Sequence, residues 1–240
     1  MKLRVMICAM VAGAALFADD VTSPTFGMIR VTDANSCNTI LGVPWKNISD
    51  DENATLSNLV STANLEAGDI VYLYEGETWL GYQLSAGGVW EALTTVNGTT
   101  IVNPESADVK RLARGSGLII QRAHNANPIY LCGRLDDATP SATAIAANST
   151  VFFGNPLTTE KTISSEGANG DKIIFPKNAG GGSIIYEKKN GEWGTYVVTT
   201  TTTSRGTKKT QTWTPGCTLA PGMGAWYQAG EAAASITWGN

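Results

Sequence analysis

The sequence predicts an all-β protein: two tandem β-sandwich or small-barrel modules related by internal duplication, with one short helix in the first. Three observations lead there. Charged residues are 16% of the chain and glycines number 26 of 240, whereas ordinary soluble domains carry about 25% charge. With 42% apolar side chains the chain is too hydrophobic to stay disordered. Short β-branched and aromatic runs alternate with turn signals about every eight to twelve residues, the pattern of sandwiches and barrels.

The third observation is a repeat. Leu112-Ala113-Arg114-Gly115-Ser116-Gly117-Leu118-Ile119-Ile120-Gln121 lies over Leu219-Ala220-Pro221-Gly222-Met223-Gly224-Ala225-Trp226-Tyr227-Gln228, identical at five of ten positions, at an offset of 107. Gly68-Asp69-Ile70-Val71-Tyr72 lies over Gly170-Asp171-Lys172-Ile173-Ile174 at 102, and Trp90 over Trp193 at 103. Ile40-Leu41-Gly42-Val43-Pro44 lies over Phe152-Phe153-Gly154-Asn155-Pro156 at 112. Four blocks in one order imply two copies of a module of roughly a hundred residues, a size that folds alone.

In chain order, residues 1–18 read as a cleaved secretory signal. Lys2 and Arg4 begin it, Val5 to Phe17 form an apolar stretch, and Leu16-Phe17-Ala18 is a small-residue cleavage site. Thirteen apolar residues fall short of the ~20 that span a bilayer, so no membrane span is expected in the mature chain. The first module, 19–135, starts with a leading strand, Phe26 to Val31. Thr55 to Thr62 reads as the helix, with Leu56, Leu59 and Val60 on one face and Ser49 or Asp51 as cap. Ile70 to Tyr74 and Trp79 to Leu84 read as strands. Leu93 to Val96 and Thr99 to Val102 flank Asn97-Gly98, a type I′ hairpin signal. Gly117 to Gln121 and Pro128 to Leu131 complete the module. Residues 136–148, polar and without alternation, read as a linker, and 149–240 as the second module. There Thr195 to Thr203 and Thr207 to Trp213 form a longer hairpin, followed by strands at Gly224 to Gln228 and Ser235 to Trp238.

The inventory for chemistry is sparse. Seventeen basic against 21 acidic residues give −4, which argues against binding nucleic acid or an anionic membrane electrostatically. His124 is the single histidine and reads as a loop residue. Gly180-Gly181-Gly182-Ser183 lacks the lysine of a phosphate loop, and Gly115-Ser116-Gly117 is a turn whose serine is Met223 in the other copy. Asp69 and Asp171 each follow a glycine and precede a strand, as turn-capping carboxylates do. Asp136-Asp137 lacks the spacing of a calcium loop. No catalytic residue, cofactor or metal is therefore expected. The remaining resource is aromatic. Trp90 and Trp193 occupy equivalent places and read as core, while Trp79, Trp213 and Trp226 have no tryptophan counterpart and are the candidates for contact with a glycan or partner.

Export implies an oxidising compartment. Of Cys37, Cys132 and Cys217, the favoured bridge is Cys37 with Cys132, and Cys132 with Cys217 competes. Phe26 to Val31 leads the first copy, while Ile129 to Leu135 closes it and leads the second. Head-to-tail stacking would then run through Phe26, Met28, Ile29 and Val31 of one subunit and Ile236 and Trp238 of the next. Alternatively, the leading strand covers an edge of its own module.

The Gly-x-Pro after an apolar strand, the Gly-Asp before an aromatic strand, the Trp after a glycine-rich turn and the Leu-Ala-x-Gly-x-Gly motif together resemble tandem β modules of uncharacterised exported proteins in Verrucomicrobia and related bacteria. The resemblance covers residues 37–135 and 149–239 and implies an extracellular or cell-surface address without assigning a site. The expectation is a secreted or cell-surface, non-enzymatic structural or adhesive protein, self-assembling into a layer or filament. The alternative is a carbohydrate-binding module using exposed tryptophans.

Overall fold

The computed structural model describes residues 4–6, 26–31, 39–43, 54–75, 77–96, 99–106, 111–123, 127–134, 141–176, 182–204 and 206–238. Its first half holds β1 (Arg4–Met6), β2 (Phe26–Val31), β3 (Thr39–Gly42), β4 (Ala54–Thr55), the one-turn helix α1 (Leu56–Leu59), β5 (Ile70–Glu75), β6 (Thr78–Leu84), β7 (Trp90–Val96), β8 (Thr99–Ser106), β9 (Arg111–Leu112), β10 (Gly117–Gln121) and β11 (Ile129–Arg134). The second half holds β12 (Ser141–Ile145), β13 (Thr150–Gly154), β14 (Lys161–Thr162), β15 (Lys172–Pro176), β16 (Ser183–Lys189), β17 (Glu192–Thr203), β18 (Gly206–Pro215), β19 (Thr218–Leu219), β20 (Gly224–Gln228) and β21 (Ala234–Trp238).

Two six-stranded antiparallel sheets carry the architecture, ordered β3-β10-β5-β6-β7-β8 and β13-β20-β15-β16-β17-β18. The second order repeats the first, strand for strand. The smaller pairs repeat as well: β2 with β11 and β12 with β21, β4 with β9 and β14 with β19. Each large sheet ends in two different edge strands, so neither closes into a barrel.

The side-chain alternation of the strands decides what each sheet buries. β10 and β20 show the same sequence of buried and half-buried positions. In β5, Val71 and Leu73 point inward while Ile70, Tyr72 and Tyr74 face the other way. The first core joins Val71, Leu73, Trp90, Leu118 and Ile120 of the sheet to Ile29 and Val31 of β2, Leu131 of β11 and Leu56 and Leu59 of α1. The second joins Phe153, Ile173, Trp193 and Tyr227 to Ile145 of β12 and Ile236 and Trp238 of β21. Trp90 and Trp193 are fully buried at equivalent positions.

Three expectations change. The helix stops after one turn: Val60 bridges to Leu131, and Ser61 N–H donates to Tyr130 O. The apolar stripe of Leu56, Leu59 and Val60 is buried as expected, but β-branched Val60 serves the strand geometry better than another helical turn. Thr55 stands at the cap position without a side-chain bond, and Ser49 and Asp51 lie outside the described residues. Within 136–148, expected as a linker, Ser141–Ile145 is a strand. Its small Ser, Ala and Thr side chains alternate in burial with little change in hydrophobicity, which hides the period. Finally, β12 is the leading strand of the second module, and β11 belongs to the first module alone.

The region read as a signal lies outside the described residues except for β1, which pairs with β2. Among the described residues no helix is long and apolar enough to cross a membrane.

Candidate functional site

The two Leu-Ala-x-Gly-x-Gly turns meet at the junction between the modules. Gly115 and Gly222 hold φ of +85° and +66°, the left-handed region where glycine carries no Cβ penalty. Inside the first module, Val43 N–H donates to Ser116 O (2.7 Å) and Gly115 N–H to Val43 O (3.0 Å). The second module repeats both bonds: Asn155 N–H to Met223 O (3.0 Å) and Gly222 N–H to Asn155 O (3.1 Å). Across the junction, Gly42 N–H donates to Gly222 O (2.9 Å) and Gly154 N–H to Gly115 O (2.8 Å). Each module thus gives the other one donor and one acceptor from equivalent residues, an approximate two-fold, isologous contact. A Cβ on Gly42 would stand 2.5 Å from Gly154 Cα, so the approach is backbone on backbone.

An aromatic cluster seals this junction. Trp79, 42% exposed, packs edge to face on Trp226 (ring centroids 5.4 Å) and on Tyr74 (5.2 Å). Trp226 stacks on Phe152 (4.7 Å). Two of the three candidate tryptophans therefore meet, one from each module. Most of their contacts are edge-on, so rings occupy one another's faces where a flat platform for a sugar would need them free. Trp213 lies elsewhere, edge to face with Tyr196 (5.1 Å), with Lys189 Nζ 4.8 Å from the Tyr196 ring centre and 5.4 Å from that of Trp213.

The buried carboxylates hold turns. Asp69 accepts from Glu66 N–H (3.0 Å) and Ala123 N–H (2.7 Å) and is ion-paired with Arg122 Nε at 3.3 Å. Asp171 accepts from Ala168 N–H (2.8 Å), Gly230 N–H (2.8 Å) and Tyr227 Oη (2.6 Å). Burial, and then the Asp171 carboxylate, raise the Tyr227 phenol above its ordinary range. Glu166 is held below the usual carboxylate range. Burial alone would raise it, but backbone bonds at Glu166 and Ser164 and the Lys161 ammonium at 3.3 Å outweigh that.

The residues expected to join subunits are engaged within the chain. Phe26, Met28, Ile29 and Val31 lie on β2, which pairs along β11 with Ile29 opposite Leu131. Ile236 and Trp238 are buried on β21, paired with β12, and Trp238 Nε1 donates to Thr143 Oγ1 (2.9 Å). β21 has its partner on one side, in a two-stranded sheet with β12, and β2 lies between β1 and β11. Cys132 and Cys217 are free thiols, so they do not bridge each other. Cys37, the favoured partner of Cys132, lies outside the described residues, as do His124 and Asp136-Asp137. Burial raises Cys132 and, with the nearby Glu166 charge, pushes Cys217 up to about 12.

What sequence reasoning missed lies on the outer surface of the sheets. β17 and β18 pair from Gly194↔Pro215 out to Thr203↔Gly206, but β16 accompanies β17 only to Tyr186↔Thr195. From Tyr196 outward the two strands form a projecting ribbon, with Tyr196, Val197 and Val198 each about half exposed. The first module repeats this on a smaller scale. β6 leaves β7 at Gly81↔Leu93, Thr94 to Val96 pair with β8 alone, and Ile101 and Val102 are exposed. The runs Val197-Val198 and Ile101-Val102 break the alternation expected of a half-buried strand, which is the signal that both faces are wet.

Comparison with known protein families, with curated proteins and with solved structures finds no match. The resemblance to exported tandem β modules rests on the turn motifs alone.

Proposed function

We propose that the protein is an exported, non-enzymatic structural or adhesive component that works at the cell surface by associating with itself. The observation that carries this reading is the pair of projecting ribbons, β7–β8 and β17–β18, with β-branched and aromatic side chains in solvent and outer strands that pair on one side only among the described residues. Monomeric proteins usually shorten, twist or cover such edges, and an exposed edge is a template for another strand. The buried polar residues support the reading from the other side, because Asp69, Asp171, Arg122 and Lys188 are spent on backbone groups and on each other.

Negative-stain imaging and light scattering of the purified chain test it. Ordered oligomers that grow with concentration are expected, and a monomer at every concentration overturns the reading. A second reading, carbohydrate binding, rests on the exposure of Trp79 beside Trp226. Quenching or shift of tryptophan fluorescence by polysaccharide, lost in Trp79→Ala, would support it, and a glycan array without a hit would discard it.

A further inference from the structure

We propose that the outer face of the second large sheet binds a linear, neutral polysaccharide, laid across the strands from Trp226 to Trp213. This deepens the carbohydrate reading above, on which it rests, and moves the stacking surface away from Trp79. Strand register draws the site. Trp226 stands opposite Ile174, Ile174 opposite Ile185, and Tyr196 opposite Trp213. Ile185 and Tyr196 flank the last β16–β17 pair, Tyr186↔Thr195, and so share this face. Trp193, Ile173 and Tyr227 lie on the opposite side, in the core. The result is one uncharged row across β20, β15, β16, β17 and β18, about 20 Å long at the usual strand spacing. Ile185 and Tyr196 within it are each about half exposed.

A second, polar row runs beside the first, two residues along each strand. Gln228 stands opposite Lys172, Lys172 opposite Glu187, and Glu187 opposite Gly194. Glycine at that last place makes room for the Trp213 indole, which rests on it: a Cβ there would stand 2.5 Å from Trp213 Cζ2. Glu187 is ion-paired with Lys189 (2.9 Å), whose Nζ donates to Tyr196 Oη (3.4 Å). An apolar line with donors and acceptors alongside matches a chain of sugar rings, each with C–H faces and a rim of hydroxyls. The amide, ammonium and carboxylate groups are of mixed sign, which suits a neutral chain over an acidic one. At the junction four rings cover one another, whereas Tyr196 is the one ring against Trp213 among the described residues. The first sheet places Ile119, Tyr72, Gly81, Leu93 and Val102 in the equivalent row. Tryptophan at both ends belongs to the second module alone, which gives the unmatched Trp226 and Trp213 one shared purpose.

Affinity electrophoresis of the full chain through hydroxyethylcellulose, xylan and laminarin tests this, with alginate as the acidic control and circular dichroism verifying the fold. A neutral polysaccharide retards the parent chain at low and at high salt. Trp213→Ala raises the apparent Kd about tenfold, E187Q/Q228A raises it severalfold, and Trp79→Ala stays close to the parent. If Trp213→Ala and E187Q/Q228A are retarded as the parent is, this site is overturned. Loss in Trp79→Ala alone then leaves carbohydrate binding at the junction. Retardation by alginate alone, abolished by salt, also overturns the site. If no polysaccharide retards the parent, both readings fall, and loss of self-association in Trp213→Ala would then give the face to a second copy.

Discussion

The two modules solve one problem in two ways. Each buries an aspartate behind a glycine at the head of a central strand, and each binds it with the N–H three residues before it and with one from the loop after β10 or β20. The third partner differs: a guanidinium from Arg122 in the first module, a phenol from Tyr227 in the second. The buried cation moves accordingly. Arg122 also donates to Asn64 O (2.7 Å) and Asn127 O (2.6 Å), whereas in the second module Lys188 Nζ donates to the carbonyls of Ser165, Glu166 and Gly167. One consequence reaches the core tryptophans. Trp193 Nε1 donates to Glu166 O (2.8 Å). The equivalent carbonyl in the first module is Asn64 O, which Arg122 occupies, and Trp90 Nε1 finds no acceptor among the described residues. Duplication kept the backbone frame and let polar partners trade places within it.

The largest expected effect separates the two aspartates. Asp69→Ala strands a buried guanidinium and should cost about 3–5 kcal/mol. Asp171→Ala removes neutral donors' acceptor and should cost about 1–3 kcal/mol. Urea midpoints of the two variants measure the gap, and equal losses would break the comparison. Next, Gly42→Ala and Gly154→Ala place a methyl against the other module's backbone and should each cost about 1–3 kcal/mol, read as a lowered melting temperature. A tolerated Gly154→Ala would mean that the modules do not hold each other this closely.

Smaller still is the contrast between the tryptophans. Both Trp90→Phe and Trp193→Phe lose volume, but only Trp193→Phe breaks a hydrogen bond, so it should be worse by about 1 kcal/mol. Last comes an alkaline difference. Tyr227 keeps its proton to higher pH when folded than when unfolded. Its contribution is complete below an unfolded value of about 10 and is lost as pH rises above it, because the unfolded chain releases the proton first. Tyr227→Phe should therefore narrow the fall in urea midpoint between pH 8 and pH 11, even though it loses the Asp171 bond at neutral pH.

Much of the fold was legible because glycine and aromatic positions repeat with the period of the module. The strands from Ile70 to Leu84 and from Gly117 to Gln121 follow from alternation and turn chemistry, which are local. β12 was hidden because Ser141 to Ala144 change face without changing hydrophobicity. The junction could be read only in part. Gly42 and Gly154 stood out as equivalent turn residues, but their mutual approach is a long-range fact with no local pattern. Trp79 and Trp226 were singled out for lacking counterparts, and the same asymmetry lets them fill one shared space with Phe152 and Tyr74. The open edges of β8 and β18 follow from strand order, which no window of sequence contains.

The glycine-on-glycine crossing at residues 42 and 154 also governs how this molecule can vary. A crowded side chain is accommodated by trimming its neighbour, yet nothing smaller than glycine exists to offer room to an intruding methyl. Neither half can therefore relax this point on behalf of the other. Between the two halves the difference lies instead in the ribbons, whose strands run 7 and 8 residues in one and 12 and 10 in the other without touching the clasp.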